Sequence, residues 1–205
     1  MSILDLSPVI PVVVLDDPDN AVPLARALMA GGIPIIELTL RTPSALESMR
    51  RIADEVPDIV LGAGTVTTPA QAAQAAGAGA TFLVSPGTTP ALLDAMGDTG
   101  LPILPGCSSI SEALMLRERG LSELKFFPAE AAGGTAYLSS LAGPLPDLRF
   151  CPTGGISVST APRYLELPNV GCVGGSWVTP ARLIDARNWT AITEVALETI
   201  AALGS

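Results

Sequence analysis

Short runs rich in valine, isoleucine and leucine recur about every 20–25 residues along the chain, and each is followed by a stretch compatible with a helix. That alternation makes the strands parallel, because each helix carries the chain back before the next strand begins. The strand candidates are Val9–Leu15, Ile35–Leu40, Ile59–Gly62, Thr81–Ser85, Pro102–Leu104, Glu123–Phe127, Arg149–Pro152 and Val170–Gly174. Eight such βα units predict a closed (β/α)8 barrel, the TIM-barrel arrangement, over an open doubly wound sheet. A chain of 205 residues suits one domain spanning 1–205 with no linker.

Local signals agree with this division. Thr68-Pro69 and Thr89-Pro90 each place a capping hydroxyl before proline at a first helical position. The helix after the seventh strand, near 160–165, reads as short, and Pro180 to Leu203 reads as two helices divided near Asn188. Small residues in the one low-complexity stretch, Ala70–Ala80, allow close helix–sheet packing.

Several function classes are disfavoured. No stretch approaches the roughly 18 uninterrupted apolar residues of a membrane helix, and no basic segment precedes an apolar run at the start, so neither a membrane partner nor a targeting signal is expected. The net charge is −9 and the basic residues are scattered, which argues against nucleic acid. An anionic ligand must therefore be captured locally, by backbone N–H groups or a placed arginine. Histidine is absent, and Cys107, Cys151 and Cys172 form no C-x-x-C pair, so no metal is expected and reduced thiols in a cytoplasm are.

Lys125 is the only lysine, and it lies inside a strand. With a side-chain period of two it faces the same way as Phe127, into the barrel near its C-terminal end. Desolvation there disfavours the ammonium and yields the neutral amine that attack on a ketone needs. A lone lysine snorkelling or pairing among arginines is the plainer alternative. Strand two places Glu37 within an apolar run and Arg41 just beyond its end. Glu37 can serve as a general acid/base and Arg41 as a bidentate clamp for a carboxylate, or Glu37 can simply pair with Arg41 or Lys125. The two charges act oppositely on Lys125: Arg41 favours its neutral form and an ionised Glu37 its charged form.

Glycines in Gly62-Ala-Gly-Thr65, Thr153-Gly154-Gly155 and Gly174-Gly175-Ser176 are read as following strands three, seven and eight. In such barrels the loops after strands seven and eight commonly hold phosphate, because glycine lets N–H groups approach the anion. Ser85-Pro86-Gly87 and Pro105-Gly106-Cys107 read as turns, and Cys107 as a small buried hydrophobe or a reactive thiol.

Taken together, Glu37-Leu-Thr-Leu-Arg41-Thr, Gly62-Ala-Gly-Thr65-Val, Ser85-Pro86-Gly87, Lys125-Phe-Phe127-Pro-Ala-Glu130, Phe150-Cys-Pro-Thr153-Gly154-Gly155-Ile-Ser and Gly174-Gly175-Ser176-Trp177 resemble the 2-keto-3-deoxy-6-phosphogluconate aldolases of the Entner–Doudoroff pathway, across nearly the whole chain. The resemblance implies a lyase that cleaves its substrate to pyruvate and glyceraldehyde 3-phosphate, with Lys125 as Schiff-base lysine, Glu37 as proton shuttle and Arg41 on the substrate carboxylate. It puts Thr65, Pro86, Phe127 and Thr153 in the pocket, and Gly154, Gly155, Gly175 and Ser176 on the phosphate. It also implies a homotrimer without cofactor or metal, and side activity toward 4-hydroxy-2-oxoglutarate and oxaloacetate. Many relatives carry a longer helix before the first strand; here about eight residues precede it, so a different cap at the closed end is expected. The phosphogalactonate aldolases, which differ at C4, and a non-catalytic phosphate-binding barrel are the rival readings.

Overall fold

A computed structural model describes residues 2–204. Its strands are β1 (Val9–Val13), β2 (Ile35–Thr39), β3 (Val60–Gly64), β4 (Phe82–Val84), β5 in two pieces (Ile103–Leu104 and Gly106–Cys107), β6 (Glu123–Phe126), β7 (Arg149–Pro152) and β8 (Val173–Gly175). Every ladder is parallel. β8 pairs with β1, β1 with β2, and pairing runs on through β3 and β4 to Ile103–Leu104. A second run joins Gly106–Cys107 to β6 and β7. Bridges from Phe150 to Val170 and from Thr153 to Gly174 bring β7 onto β8 and complete the (β/α)8 barrel.

The break in β5 was not expected from its sequence, and Pro105 explains it. Proline has no N–H to give the β4 ladder, so that pairing stops at Leu104. Its carbonyl still accepts from Lys125 N at 3.0 Å, so the strand changes partner there. Gly106 lies against the backbone of Ser85 and Pro86, where a side chain would collide. The two turn segments thus form the seam between the halves of the sheet.

The helices cover the outside: α1 (Ala21–Ala30), α2 (Ala45–Glu55), α3 (Pro69–Gly77), α4 (Pro90–Gly97), α5 (Ile110–Glu118), α6 (Gly134–Leu141), α7 (Ala161–Leu165), α8 (Ala181–Asp185) and α9 (Trp189–Leu203). Thr68 and Thr89 cap α3 and α4 as expected, accepting from the N–H groups of Gln71 and Leu92. Asn188 starts α9 by accepting from Ala191 N, which divides the last segment where the sequence does. Ala72 and Ala75 are fully buried, so α3 lies close to the sheet. Among the described residues no helix is long and apolar enough to cross a membrane.

The closed end is capped by the short N-terminal segment. Ser2 caps a 3-10 turn at Ile3–Asp5, and Leu4 is buried against Gly171, which has no side chain to exclude it. Arg149, at the start of β7, holds the turn down through Asp5 at 2.6 Å and also reaches Glu123 at 3.4 Å.

The register sets Glu37, Gly62 and Phe82 side by side on the inner face. The Phe82 ring occupies the space a Cβ on Gly62 would need, with its nearest atom 2.1 Å from that position. Gly62→Ala should therefore destabilise the barrel by about 1–3 kcal/mol through overpacking. Urea unfolding measures this, and an unchanged midpoint would contradict the packing described.

Candidate active site

Lys125 on β6 and Glu37 on β2 come from opposite sides of the barrel and meet inside it. Lys125 Nζ lies 3.0 Å from Glu37 Oε1 and 3.4 Å from Oε2, with the residues 4% and 2% exposed. Of the pairings left open by the sequence, the structure contains Glu37–Lys125. Arg41 turns elsewhere: its Nε donates to Thr65 Oγ1 at 3.0 Å, and among the described residues no carboxylate lies within ion-pair distance. Its terminal N–H groups are therefore open to an anion.

Local backbone and side-chain space explain how this pair is held. Gly64 leaves the room Glu37 occupies, since a Cβ there would lie 2.2 Å from Glu37 Oε1. Gly62 and Gly64 both lie within β3, so the expected loop glycines of this segment instead make space inside the barrel. Thr65 follows with φ +56°, a left-handed conformation costly for a β-branched residue, which sets its hydroxyl under Arg41. The ammonium lies 5.6 Å from the centroid of the Phe127 ring.

Phe127 is also a wall of a cavity of about 240 Å³ at the C-terminal ends of the strands. Arg41, Thr153, Gly154, Gly155, Gly175 and Ser176 line it too. Thr153 Oγ1 fills the place where Gly174 lacks a side chain, and the Trp177 ring lies over Gly175. Gly154 and Gly155 have φ +104° and +80°; the bridge of Thr153 to Gly174 engages the Gly154 N–H, and among the described residues the Gly155 N–H has no protein acceptor. A glycine loop that leaves a backbone N–H exposed lets an anion approach it closely. Of the sequence candidates, Lys125 and Glu37 lie deeper in the barrel, Thr65 meets the cavity only through Arg41, and Pro86 is packed at the seam against Gly106 rather than lining it.

The cavity also has an apolar side that the motif reading did not pick out: Val12, Val14 and Ile156. Val12 lies at the end of β1, Val14 just beyond it, and Ile156 follows the glycine pair. Position at the C-terminal strand ends is the signal that could have found them.

A parallel barrel with an amine–carboxylate pair inside it, and an anion-ready cavity where the loops emerge, defines a (β/α)8-barrel enzyme whose site lies at the C-terminal face. Comparison with known proteins narrows the class. The family model described as KDPG and KHG aldolase matches residues 1–195. The chain is 51% identical over 194 residues to 2-dehydro-3-deoxy-phosphogluconate aldolase of Pseudoalteromonas atlantica, covering 95% of this chain and 90% of that one. It is 48% identical over 199 residues to the KHG/KDPG aldolase of Escherichia coli, covering 97% and 93%. The structure of a Legionella pneumophila KDPG aldolase, with pyruvate captured at low pH as a covalent carbinolamine intermediate, superposes with a TM-score of 0.94 at 46% identity, covering 96% of this chain and 95% of that one. The chain belongs to the KDPG and KHG aldolase family, and it is an aldolase, a carbon–carbon lyase.

The cysteines take no visible part in the site. Cys107, Cys151 and Cys172 are free and buried. Burial, with a smaller contribution from Glu112, pushes the Cys107 thiol up to about 12, and contact with Cys151 plus burial pushes Cys172 up as well. Neither offers thiolate near neutrality. At pH 8 the native protein should release almost no chromophore from an aromatic disulfide reagent, and all three thiols should react after unfolding in guanidinium. Rapid stoichiometric labelling of the native chain would contradict this environment.

Proposed function

We propose that this chain cleaves 2-keto-3-deoxy-6-phosphogluconate to pyruvate and D-glyceraldehyde 3-phosphate through an imine on Lys125. The observation that carries the reading is the buried Lys125–Glu37 contact at 3.0 Å beside a glycine-lined cavity. A buried ion pair is a poor stabiliser compared with apolar packing, so its presence calls for a use. An amine with an adjacent carboxylate can exchange a proton, which both imine formation and aldol cleavage need.

Arg41 holds the C1 carboxylate, and the glycine pair Gly154–Gly155, with Gly175 and Ser176, holds the phosphate. The ends of the substrate are thereby fixed and its middle lies over Lys125. The neutral amine attacks C2, the carbinolamine loses water, and a protonated imine results. Glu37, directly or through a water, takes the C4 hydroxyl proton. The C3–C4 electron pair moves into the imine, which releases the aldehyde and leaves an enamine. Glu37 returns the proton to C3, and water then frees pyruvate and the amine. Phe127 and Thr153 line the pocket around these steps, Thr65 supports it through Arg41, and Pro86 is assigned to it by the family resemblance. The carbinolamine held by the Legionella relative supports the covalent route.

Substrates without phosphate, 4-hydroxy-2-oxoglutarate and oxaloacetate, need only the Arg41 and Lys125 parts of this site, which supports slower turnover of both. The proposal includes one catalytic domain over 1–205, a homotrimer as the family resemblance implies, and a cytoplasmic location, in keeping with three free cysteines.

Steady-state kinetics tests the assignment. Lys125→Ala should abolish cleavage, and Glu37→Gln should lower kcat by about 10²–10⁴-fold. Arg41→Ala should lower kcat/KM by about 10–100-fold through weaker capture of the carboxylate. Wild-type turnover in the Lys125 variant would overturn the mechanism, and faster cleavage of the C4 epimer would overturn the substrate.

A further inference from the structure

Behind the glycine pair lies a second arrangement that the chemistry above does not use. Ala129 N donates to Thr153 O at 2.8 Å and Glu130 N to Gly154 O at 3.1 Å, so the segment after β6 is bonded along the back of the loop after β7. The stem of Glu130 lies directly under Gly155, where an added Cβ would be 2.8 Å from both its Cβ and Cγ. Beyond that contact the carboxylate turns away from the cavity and accepts from the hydroxyl of Tyr164 on α7. Tyr164 is 1% exposed, which fixes its ring, while Glu130 is exposed as a residue. The same carboxylate faces the first turn of α6, with Oε2 3.8 Å from the position a Cβ on Gly134 would take. That helix starts at Gly133 without a side-chain cap, so its N-terminal dipole favours a negative charge there.

A carboxylate so near an anion site is a liability unless it is held away from it. Free to rotate, Glu130 would oppose a phosphate and release the underside of Gly155. The phenol and the helix terminus together provide the restraint. Burial, and then the contact with Glu130, pushes the Tyr164 phenol up, so it remains a donor throughout the working pH range.

We propose that Glu130 and Tyr164 are positioning residues for phosphate: Tyr164 pins the Glu130 carboxylate away from the cavity, and the Glu130 stem props Gly154–Gly155 with the Gly155 N–H facing the ligand. This rests on the assignment of the glycine pair to phosphate made above. Neither residue touches the amine, so the pair acts on capture of the phosphorylated end alone.

The test compares two ligands in Tyr164→Phe, Glu130→Ala and the double variant. Each single variant should raise KM for the phosphorylated keto acid about tenfold, with kcat changed much less. Half-saturation by pyruvate in borohydride trapping, which needs no phosphate site, should stay at the wild-type value. The double variant should be no worse than the poorer single one, as for residues acting through one contact. Glu130→Gln, which can still accept from the phenol, should recover most of the loss. Inorganic phosphate as a competitive inhibitor should weaken in parallel. A KM unchanged in folded Tyr164→Phe, or equal losses for pyruvate and the phosphorylated substrate, would overturn the proposal. If wild type gives no pyruvate adduct, the imine reading fails instead, and weakened phosphate inhibition in the variants still supports the positioning role while unaltered inhibition overturns it.

Discussion

The contact between Lys125 and Glu37 crosses the barrel. β2 and β6 lie four strands apart in a ring of eight, so their side chains can touch only if the sheet closes. Closure depends in turn on the seam at Pro105 and on the bridges from β7 to β8. Removing one member of a buried pair of this kind leaves an unmatched charge, at a cost of about 3–5 kcal/mol. In the proposed mechanism the same low-dielectric interior strengthens the interaction through which amine and carboxylate exchange a proton.

Glycine supplies the space that this interior requires. Gly62 admits the Phe82 ring, Gly64 admits the Glu37 carboxylate, and Gly174 admits the Thr153 hydroxyl. On the loop after β7 the same residue type does something different. Positive φ at Gly154 and Gly155 turns the chain so that both line the cavity, and the Gly155 N–H has no protein acceptor among the described residues. One side of the site is therefore a packed, charged interior and the other an open backbone surface, joined by Phe127.

Much of this was legible in the chain. The side-chain period of two on β6 put Lys125 inside, and the spacing of apolar runs gave the eight strands. Thr-Pro pairs gave two helix starts. Adjacent glycines gave the cavity loop, because their conformational freedom is a property of the residue itself. Three things were not legible. The break at Pro105 depends on which neighbour each half of β5 meets. The location of Gly62 and Gly64 inside β3 turned expected loop glycines into packing sites. The role of Glu130 depends on Tyr164, thirty-four residues away, and no local pattern links them. The motif resemblance carried the substrate assignment further than the physics of single residues could, since an interior lysine alone also fits an ordinary ion pair.

The most direct measurement is covalent. Incubating the protein with pyruvate, adding borohydride and weighing the intact chain reports whether the amine forms an imine. Lys125 is the only lysine, so the mechanism predicts one reduced pyruvate adduct, mapped to the peptide that contains it. Folded protein that gains no mass would contradict the imine mechanism and leave a barrel that binds phosphate without this chemistry.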